Sequence, residues 1–501
     1  MRRGEQGPGT RGLVLAAPRG RSGKTTVAMG LCAALRARGL RVQPFKKGPD
    51  YIDPGWLTLA AGRPCRNLDL FMLGEDTVRQ SFLEASAGAD LALVEGAMGL
   101  FDGLDLAGSG STAQLARVLD LPVVLLLDVT RMTRTAAAVV RGVTGFEEGL
   151  RFVGVILNRV GTPRQERLVR AAVEQYAGLP VLGAIPRRPE VEVPDRHLGL
   201  IPAAERVGPD GLLAEGAVAE AARAVEAGVD LDRLLALAGP VGAPAGEAGV
   251  SPPKAAAVPG GTGAQEAGRV SQHGVPAGRV AGDGVPVGVM RDRVFSFYYP
   301  ENLECLQAAG ARLVFVDSLR DTALPPVAAL YIGGGFPEVF AAELEANGGL
   351  RASLREAIAA GLPVYAECGG LMYLCRSLAW QGERWEMVGA IPFDVEMSPT
   401  PRGHGYVEAE VVRDNPYFPP GEIIRGHEFH HSLPAAVPVA DMVFRLRRGT
   451  GWGQGWDGLR WGSVFASYLH VHALAYPGWA HALVGAARRF ARERGGVGLW
   501  R

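Results

Sequence analysis

The chain has 501 residues, 48% of them hydrophobic, with 52 Lys+Arg set against 52 Asp+Glu. That length exceeds one ordinary core and predicts two or three domains, while the balanced charge excludes the global basic field expected of a partner of nucleic acid or anionic membrane. Five scattered cysteines (Cys32, Cys65, Cys305, Cys368, Cys375) form no CxxC pair, which supports neither a disulfide framework nor a structural zinc site and predicts reducing cytosol, hence a cytoplasmic protein.

The N-terminus runs directly into a strand and a glycine-rich loop and does not read as a signal peptide. The longest apolar runs, such as 121–127, are of strand length and too short for a bilayer. From residue 12 onward, strand-like runs near 12–17, 40–45, 91–95, 121–128, 151–158 and 181–185 alternate with helix-like stretches such as 24–38, 111–120 and 164–177. That alternation predicts an α/β fold with a parallel sheet covered on both faces, over residues 1–238.

Pro18-Arg19-Gly20-Arg21-Ser22-Gly23-Lys24-Thr25-Thr26 lies between the first strand and the first helix. Gly20 and Gly23 let backbone N–H groups close around phosphate oxygens, and the helix N-terminus adds its dipole. Lys24 is placed to reach the β and γ phosphates, with Thr25 on Mg²⁺ and Thr26 behind it. Pro18 stands where the strict pattern has glycine; the strand–loop–helix context compensates. Lys46-Lys47-Gly48-Pro49-Asp50-Tyr51-Ile52-Asp53 reads as a turn after the second strand, with two carboxylates three residues apart. The strand 91–95 ends in Glu95, followed by Gly96-Ala97-Met98-Gly99-Leu100-Phe101-Asp102-Gly103. Ligands of open α/β sheets bind at carboxyl strand ends, so Asp50, Asp53, Glu95 and Asp102 are expected around one triphosphate, serving Mg²⁺ and an acceptor carboxylate. Asn158, at the end of strand 151–158, either reads the adenine edge or caps its strand.

Residues 239–284 are rich in Gly, Pro and Ala without an apolar period, and read as a flexible linker. A second α/β domain follows over 285–501. Its strands are expected at 285–290, 312–317, 328–332 and 363–366, its helices at 301–309 and 350–360. A more antiparallel, polar stretch runs from 386 to 432, and a strand at 463–468 and a helix at 478–493 close the chain.

Gly361-Leu362-Pro363-Val364-Tyr365-Ala366-Glu367-Cys368-Gly369-Gly370 reads as strand, sharp turn and helix. Such an elbow exposes a nucleophile, and the helix N-terminus favours its thiolate. The N–H of Gly369, with those of the glycine-rich strand end at Gly334 and Gly335, is suited to stabilise an oxyanion. His470, in Ser467-Tyr468-Leu469-His470, is the candidate general base. Six of the nine histidines fall between His404 and His472. His427, Glu428 and His430 have tempting metal spacing, but their flanks read as strands, which favours pocket lining and structural hydrogen bonds.

Together these segments resemble the cobyrinic acid a,c-diamide synthase family of corrin amidotransferases, over nearly the whole chain outside the linker. The most specific segments are 48–53, 95–103, Phe297-Tyr298-Tyr299-Pro300-Glu301-Asn302-Leu303 and Arg425-Gly426-His427-Glu428-Phe429-His430. The resemblance implies a P-loop, dethiobiotin-synthetase-like parallel-sheet domain followed by a class I-type glutamine amidotransferase α/β domain. It implies ATP as co-substrate, Mg²⁺ as cofactor, and an acyl phosphate of a ring acetate attacked by ammonia drawn from glutamine. It also implies Cys368 as nucleophile, His470 as its base, Thr25, Asp50 and Glu95 at the metal, and Asp50, Tyr51, Asp53 and Asp102 toward the corrin. Such architectures are commonly homodimers. Two positions depart from the pattern: His472 stands where class I glutaminases carry Glu, and His431 where the family often has Tyr. Rival readings are the same reaction on hydrogenobyrinic acid or nickel-sirohydrochlorin, a partner-recruiting P-loop ATPase with an inactive second domain, or a glutamine-binding regulator without synthetase activity.

Overall fold

The computed structural model describes residues 9–187, 195–196, 199–206, 212–242 and 284–494. Most of the expected 239–284 linker lies outside these residues.

The first half alternates strands β1 (Arg11–Ala16), β2 (Val42–Lys47), β3 (Arg66–Leu68), β4 (Leu91–Glu95), β5 (Val123–Asp128), β6 (Phe152–Val160) and β7 (Val181–Pro186) with helices α1 (Lys24–Ala37), α2 (Ile52–Ala61), α3 (Leu70–Ser86), α4 (Thr112–Val118), α5 (Thr135–Thr144) and α6 (Pro163–Ala177). Two short strands, β8 (Asp195–Arg196) and β9 (Gly199–Leu200), precede helices α7 (Leu212–Gly228) and α8 (Leu231–Leu237). The seven strands β1 to β7 form one parallel sheet in the order β3-β2-β4-β1-β5-β6-β7. A further strand, β10 (Gly239–Pro240), pairs antiparallel with the start of β1, so the first residues of the expected linker are tied to the first strand.

Each element follows from local chemistry. β5, Val-Val-Leu-Leu-Leu-Asp, is buried at every position, as a parallel strand with helices on both faces must be. At about 1.5–3 kcal/mol for each fully buried Val or Leu, such strands carry much of the core. α6 starts where the Thr162 hydroxyl accepts the Gln165 N–H at 3.1 Å and Pro163 fills the first turn, and it stops at left-handed Gly178.

The second half contains β11 (Val285–Met290), α9 (Pro300–Ala308), β12 (Ala311–Val316), β13 (Ala329–Ile332), α10 (Ala341–Ala346), α11 (Gly348–Ala359), β14 (Val364–Glu367) and α12 (Gly369–Leu374). Then come β15 (Cys375–Trp380), β16 (Glu383–Glu386), β17 (Ile391–Met397), β18 (Gly403–Val411), β19 (Ile423–His430), β20 (Ser432–Pro434), β21 (Met442–Arg448), β22 (Trp456–Trp461), β23 (Val464–Ser467) and α13 (Gly478–Glu493). Nine strands make a mixed sheet, β12-β11-β13-β14-β23-β22-β21-β18-β19. Its first five strands are parallel and the rest antiparallel. The antiparallel character expected for 386–432 is present in β18 and β19, whereas β17 runs parallel to β15 in a separate four-stranded sheet.

The two halves pack against each other. Tyr299, 1% exposed, belongs to a core otherwise built from first-half residues such as Phe45, Val94 and Leu100, with Tyr406, Leu474 and Ala475 packed onto it. Arg66 on β3 grips Glu304 on α9 through both guanidinium arms, at 2.9 and 2.7 Å, a fork geometry that fixes orientation as well as charge.

Candidate active site

The 46–53 segment differs from its sequence reading. β2 extends to Lys47, so Lys46 and Lys47 lie in the strand, and α2 begins at Ile52. The reason is electrostatic. Lys46 is the register partner of Glu95 on β4, and its ammonium sits 2.8 Å from Glu95 Oε1, 2.5 Å from Asp53 Oδ2 and 3.9 Å from Asp50 Oδ2. Burial alone would lower its pKa; Asp53, Glu95 and Asp50 outweigh burial and hold it above the ordinary lysine value. A lysine ending a strand reads as a solvated tip, so Lys46 was not singled out as a site residue.

Thr25, at the start of α1, donates to Glu95 Oε1 at 2.8 Å and to Asp53 Oδ2 at 3.1 Å. Asp53 and Glu95 therefore meet Thr25 directly. Asp50 stands one step out and caps α2, accepting from the Ile52 and Asp53 N–H groups at 2.8 and 3.2 Å. Burial, then the neighbouring Asp53, pushes Asp50 up to about 7. Burial raises Glu95 as well, whereas Lys46 overcomes burial and lowers Asp53. The Glu95 Oε2 atom is buried without a hydrogen-bond partner, an orphaned acceptor beside a threonine hydroxyl. Those oxygens are the donor types a Mg²⁺ ion takes.

Lys24 folds across the loop, donating to the carbonyls of Met98 at 2.7 Å and Arg19 at 3.3 Å. Burial, then repulsion from Lys46, lowers it to about 8. Gly23 is left-handed (φ +86°), and a Cβ there would sit 2.5 Å from Asn158 Nδ2, so only glycine fits. Asn158 in turn donates to the Ser22 carbonyl at 2.8 Å. Gly23, Thr26 and Asn158 line one cavity of about 50 Å³, with Arg159 and Pro186. Gly20 is packed by Met98. Asp102 accepts the Gly99 N–H at 2.7 Å, shaping the loop beyond Glu95, and its charge acts on Lys24.

On the second sheet, β14 and β23 are parallel neighbours with Glu367 opposite Ser467. Cys368 and His470 thus leave adjacent strand ends. Cys368 has φ 45° and ψ −99°, the strained turn of an elbow, and its N–H is held by the Ser467 carbonyl at 2.8 Å. Burial, then the charge of Glu338, raises its thiol pKa, so the thiol needs a proton acceptor to react. The glycines leave no spare room. A Cβ at Gly334 would lie 2.6 Å from His470 Cε1, at Gly335 it would overlap the Val294 carbonyl at 1.7 Å, and at Gly369 it would lie 2.9 Å from the Gly335 nitrogen. Gly334 therefore abuts His470, and Gly369 abuts Gly335.

The His470 segment is clamped. His427 exchanges backbone hydrogen bonds with His470, at 3.3 and 2.9 Å, and their rings stack at 5.0 Å. Asn302 on α9 donates to the Val471 carbonyl at 2.8 Å and accepts the Ala473 N–H at 2.7 Å. Glu367 places Oε2 3.3 Å from His470 Nδ1. Glu367 and Asn302 were not among the site residues expected from sequence, although both lie in segments quoted there. His472 faces elsewhere: its Nδ1 accepts the Leu474 N–H at 3.2 Å, and Nε2 lies 3.7 Å from Glu301 Oε2. His430 bonds the Ser432 carbonyl and Glu428, and Glu428 accepts the Thr450 and Gly451 N–H groups. These are the structural hydrogen bonds expected on a strand. His431 bonds the Ser398 carbonyl. Among the described residues no group of three or more His, Cys, Asp or Glu is arranged to hold a metal ion by itself.

The two sites meet at Tyr51. Its ring stacks on Phe297 at 5.2 Å, packs on Tyr299 at 4.5 Å and His427 at 5.5 Å, and meets His470 edge-on at 5.2 Å. A residue adjoining Asp50 thereby touches the candidate base of the other half.

Two sheets so joined, one at a phosphate loop and one at a cysteine elbow, make the chain a two-domain, nucleotide-using glutamine amidotransferase. A model of the CobQ/CobB/MinD/ParA nucleotide binding domain matches residues 13–201, and one of the CobB/CobQ-like glutamine amidotransferase domain matches 286–477. The cobyrinate a,c-diamide synthase of Magnetococcus marinus is 44% identical over 488 residues, 96% of this chain and 97% of that protein. That of Methanosarcina acetivorans is 39% identical over 503 residues, 96% of each chain. The hydrogenobyrinate a,c-diamide synthase of Streptomyces coelicolor is 44% identical, covering 94% of this chain and 96% of that protein. The chain belongs to the a,c-diamide synthase family of glutamine-dependent ligases. Among the described residues no helix is long and apolar enough to cross a membrane.

Proposed function

We propose that the chain amidates the a- and c-acetate carboxylates of cobyrinic acid, in cobalamin synthesis, with ATP and glutamine. The observation that carries the coupling of the two halves is the contact between Tyr51, beside the acids of the phosphate site, and His470 of the cysteine site, while the a,c-diamide synthase relatives support the ring substrate. That contact supports coupling of ammonia release to carboxylate activation. An inactive second half recruited only as a partner surface is not favoured, because the strained elbow at Cys368, the crowded glycines and a held imidazole are all in place.

The chemistry divides between the halves. A carboxylate at neutral pH resists ammonia until its oxygen is phosphorylated. Lys24 and the loop glycines hold the phosphates of ATP, and the ring acetate oxygen attacks the γ-phosphorus, releasing ADP and leaving an acyl phosphate. Such a transfer needs alignment and charge neutralisation more than covalent help. Thr25, Asp53, Glu95 and Asp50 would hold Mg²⁺, which when bound neutralises phosphate charge; the orphaned Glu95 oxygen suits that role. Asn158 and Thr26 sit where the nucleoside would enter. Asp50, Tyr51, Asp53 and Asp102 face the ring.

In the second half, His470 takes the Cys368 proton while sulfur attacks the glutamine carboxamide carbon. Gly334, Gly335 and Gly369 receive the oxyanion. The C–N bond breaks as His470 returns the proton to the leaving nitrogen, giving ammonia and a thioester that water hydrolyses to glutamate. Ammonia crosses past Tyr51 and displaces phosphate from the acyl group. The domain limits near 238 and 285, a cytoplasmic setting in keeping with free thiols, and a homodimer are parts of the same reading.

The cobalt-free ring is a second reading, favoured by the Streptomyces coelicolor relative. The test is product mass after incubation with Mg-ATP, glutamine, and cobyrinic acid, hydrogenobyrinic acid or nickel-sirohydrochlorin in turn. Two carboxylate-to-amide conversions on cobyrinic acid are expected. In Cys368→Ala they should vanish with glutamine and persist with free ammonia. ATP hydrolysis with no conversion on any ring overturns the assignment.

A further inference from the structure

We infer that Glu367, the residue immediately before the nucleophile, is a positioning residue that completes the glutaminase machinery by holding His470. This rests on the reading of Cys368 as nucleophile and His470 as base. Successive residues of a strand point to opposite faces, so the end of β14 presents Glu367 on one side and delivers Cys368 to the elbow on the other. Glu367 Oε2 lies 3.3 Å from His470 Nδ1, and the two side chains are 1% and 2% exposed. With Nδ1 donating to the carboxylate, Nε2 is the nitrogen left to accept a proton.

The carboxylate is itself fixed. Tyr331 donates its hydroxyl to Oε2 at 3.2 Å, and the Val471 N–H reaches Oε1 at 3.3 Å. Asn302 contacts the Tyr331 hydroxyl at 3.3 Å while gripping the backbone on both sides of His472. The imidazole is thus held by side chain and backbone from one rigid cluster. His472, two residues past the base, is committed to the Leu474 N–H and to the side of Glu301. The carboxylate that steadies the base comes instead from the strand that carries the nucleophile.

In the chemical step the proton leaves Cys368 for Nε2 of His470. The imidazolium so formed lies beside the Glu367 carboxylate, which stabilises it without taking the proton. A neutral amide at 367 keeps the shape and one acceptor but removes that charge. Glu367→Gln is therefore expected to lower kcat for glutamine hydrolysis by about 10²-fold, within the range of general acid–base effects, with KM within about threefold. Glu367→Asp keeps the charge at shorter reach and should give an intermediate rate. Amidation driven by free ammonia should be unchanged in both, showing that the protein is folded. A Glu367→Gln kcat within twofold of the parent overturns the inference, as does a Glu367→Asp rate no better than that of Glu367→Gln. An equal fall in the ammonia-driven rate also overturns it, by making Glu367 a support of the fold. Cys368→Ala, assayed beside them, tests the underlying reading separately: if it keeps glutamine-driven amidation, the nucleophile itself has been misassigned.

Discussion

The ammonium of Lys46 lies 2.8 Å from Glu95 Oε1, and the two residues face each other in register across β2 and β4. Lys46 is 3% exposed and Glu95 0%. A buried cation thus stands among buried acids, and it keeps Glu95 and Asp53 compatible with burial.

Removing one partner of such a pair leaves uncompensated charge in the core. Lys46→Met is expected to destabilise the fold by about 3–5 kcal/mol, measured by urea unfolding at pH 7. Glu95→Gln should recover part of that loss when combined with Lys46→Met, because it neutralises one of the acids left without the ammonium. Strictly additive single and double variants would mean the two side chains do not interact.

Much of this was legible in the sequence and some was not, for physical reasons. The phosphate loop, the elbow at Cys368 and most long strands are local patterns of glycine and apolar spacing, visible without a fold. The short β3 and the helices α2 and α3 were missed. α2 is capped by Asp50 from within a segment that reads as a turn, and α3 is interrupted by Gly74 at φ +74°. Glu367, Asn302 and Lys46 act through partners 103, 169 and 49 residues away, and no window along the chain reveals such pairings. His472, at the position where class I glutaminases carry Glu, turns instead to Glu301 and the Leu474 N–H.

Gly334→Ala should be a selective glutaminase lesion. The added methyl would sit 2.6 Å from His470 Cε1 and 3.3 Å from Nε2, and His470 is too well held to move freely. Glutamine-driven amidation is expected to fall by about 10²-fold, as for loss of a general base, with the ammonia-driven rate retained. A normal glutamine-driven rate would show that the ring tolerates displacement and that its placement is not critical.

Glu301 and His472 give the interface opposing pH slopes. Burial, opposed by Arg66, pushes the Glu301 carboxyl up to about 7 from 4.5. Burial, then Arg66, pushes His472 down to about 3 from 6.5. For Glu301 the unfolded chain releases its proton first, so stability declines as pH rises from 4.5 to 7. For His472 the unfolded chain takes a proton that the folded chain refuses, so stability rises with pH between 3 and 6.5. Glu301→Gln removes the first slope alone. Its unfolding free energy minus that of the parent should rise across the Glu301 window by up to about 1.4 kcal/mol per pH unit. Parallel stability curves for variant and parent would exclude this account.

Tyr51 packs against Phe297, Tyr299, His427 and His470, and on the proposed reading ammonia passes it between the halves. Cutting the ring back to a methyl would open a space bounded by aromatic faces and let water enter and ammonia leave. In the intact protein, glutamate and new amide should form in equal amounts when ATP and the ring substrate are saturating. Tyr51→Ala should produce several-fold more glutamate than amide, while Tyr51→Phe, which keeps the ring contacts, should stay near equality. Amidation at high free ammonia separates leakage from damage to the phosphate site, since only the latter lowers that rate. Equal glutamate and amide from Tyr51→Ala would show that the seal between the halves is made elsewhere along the interface.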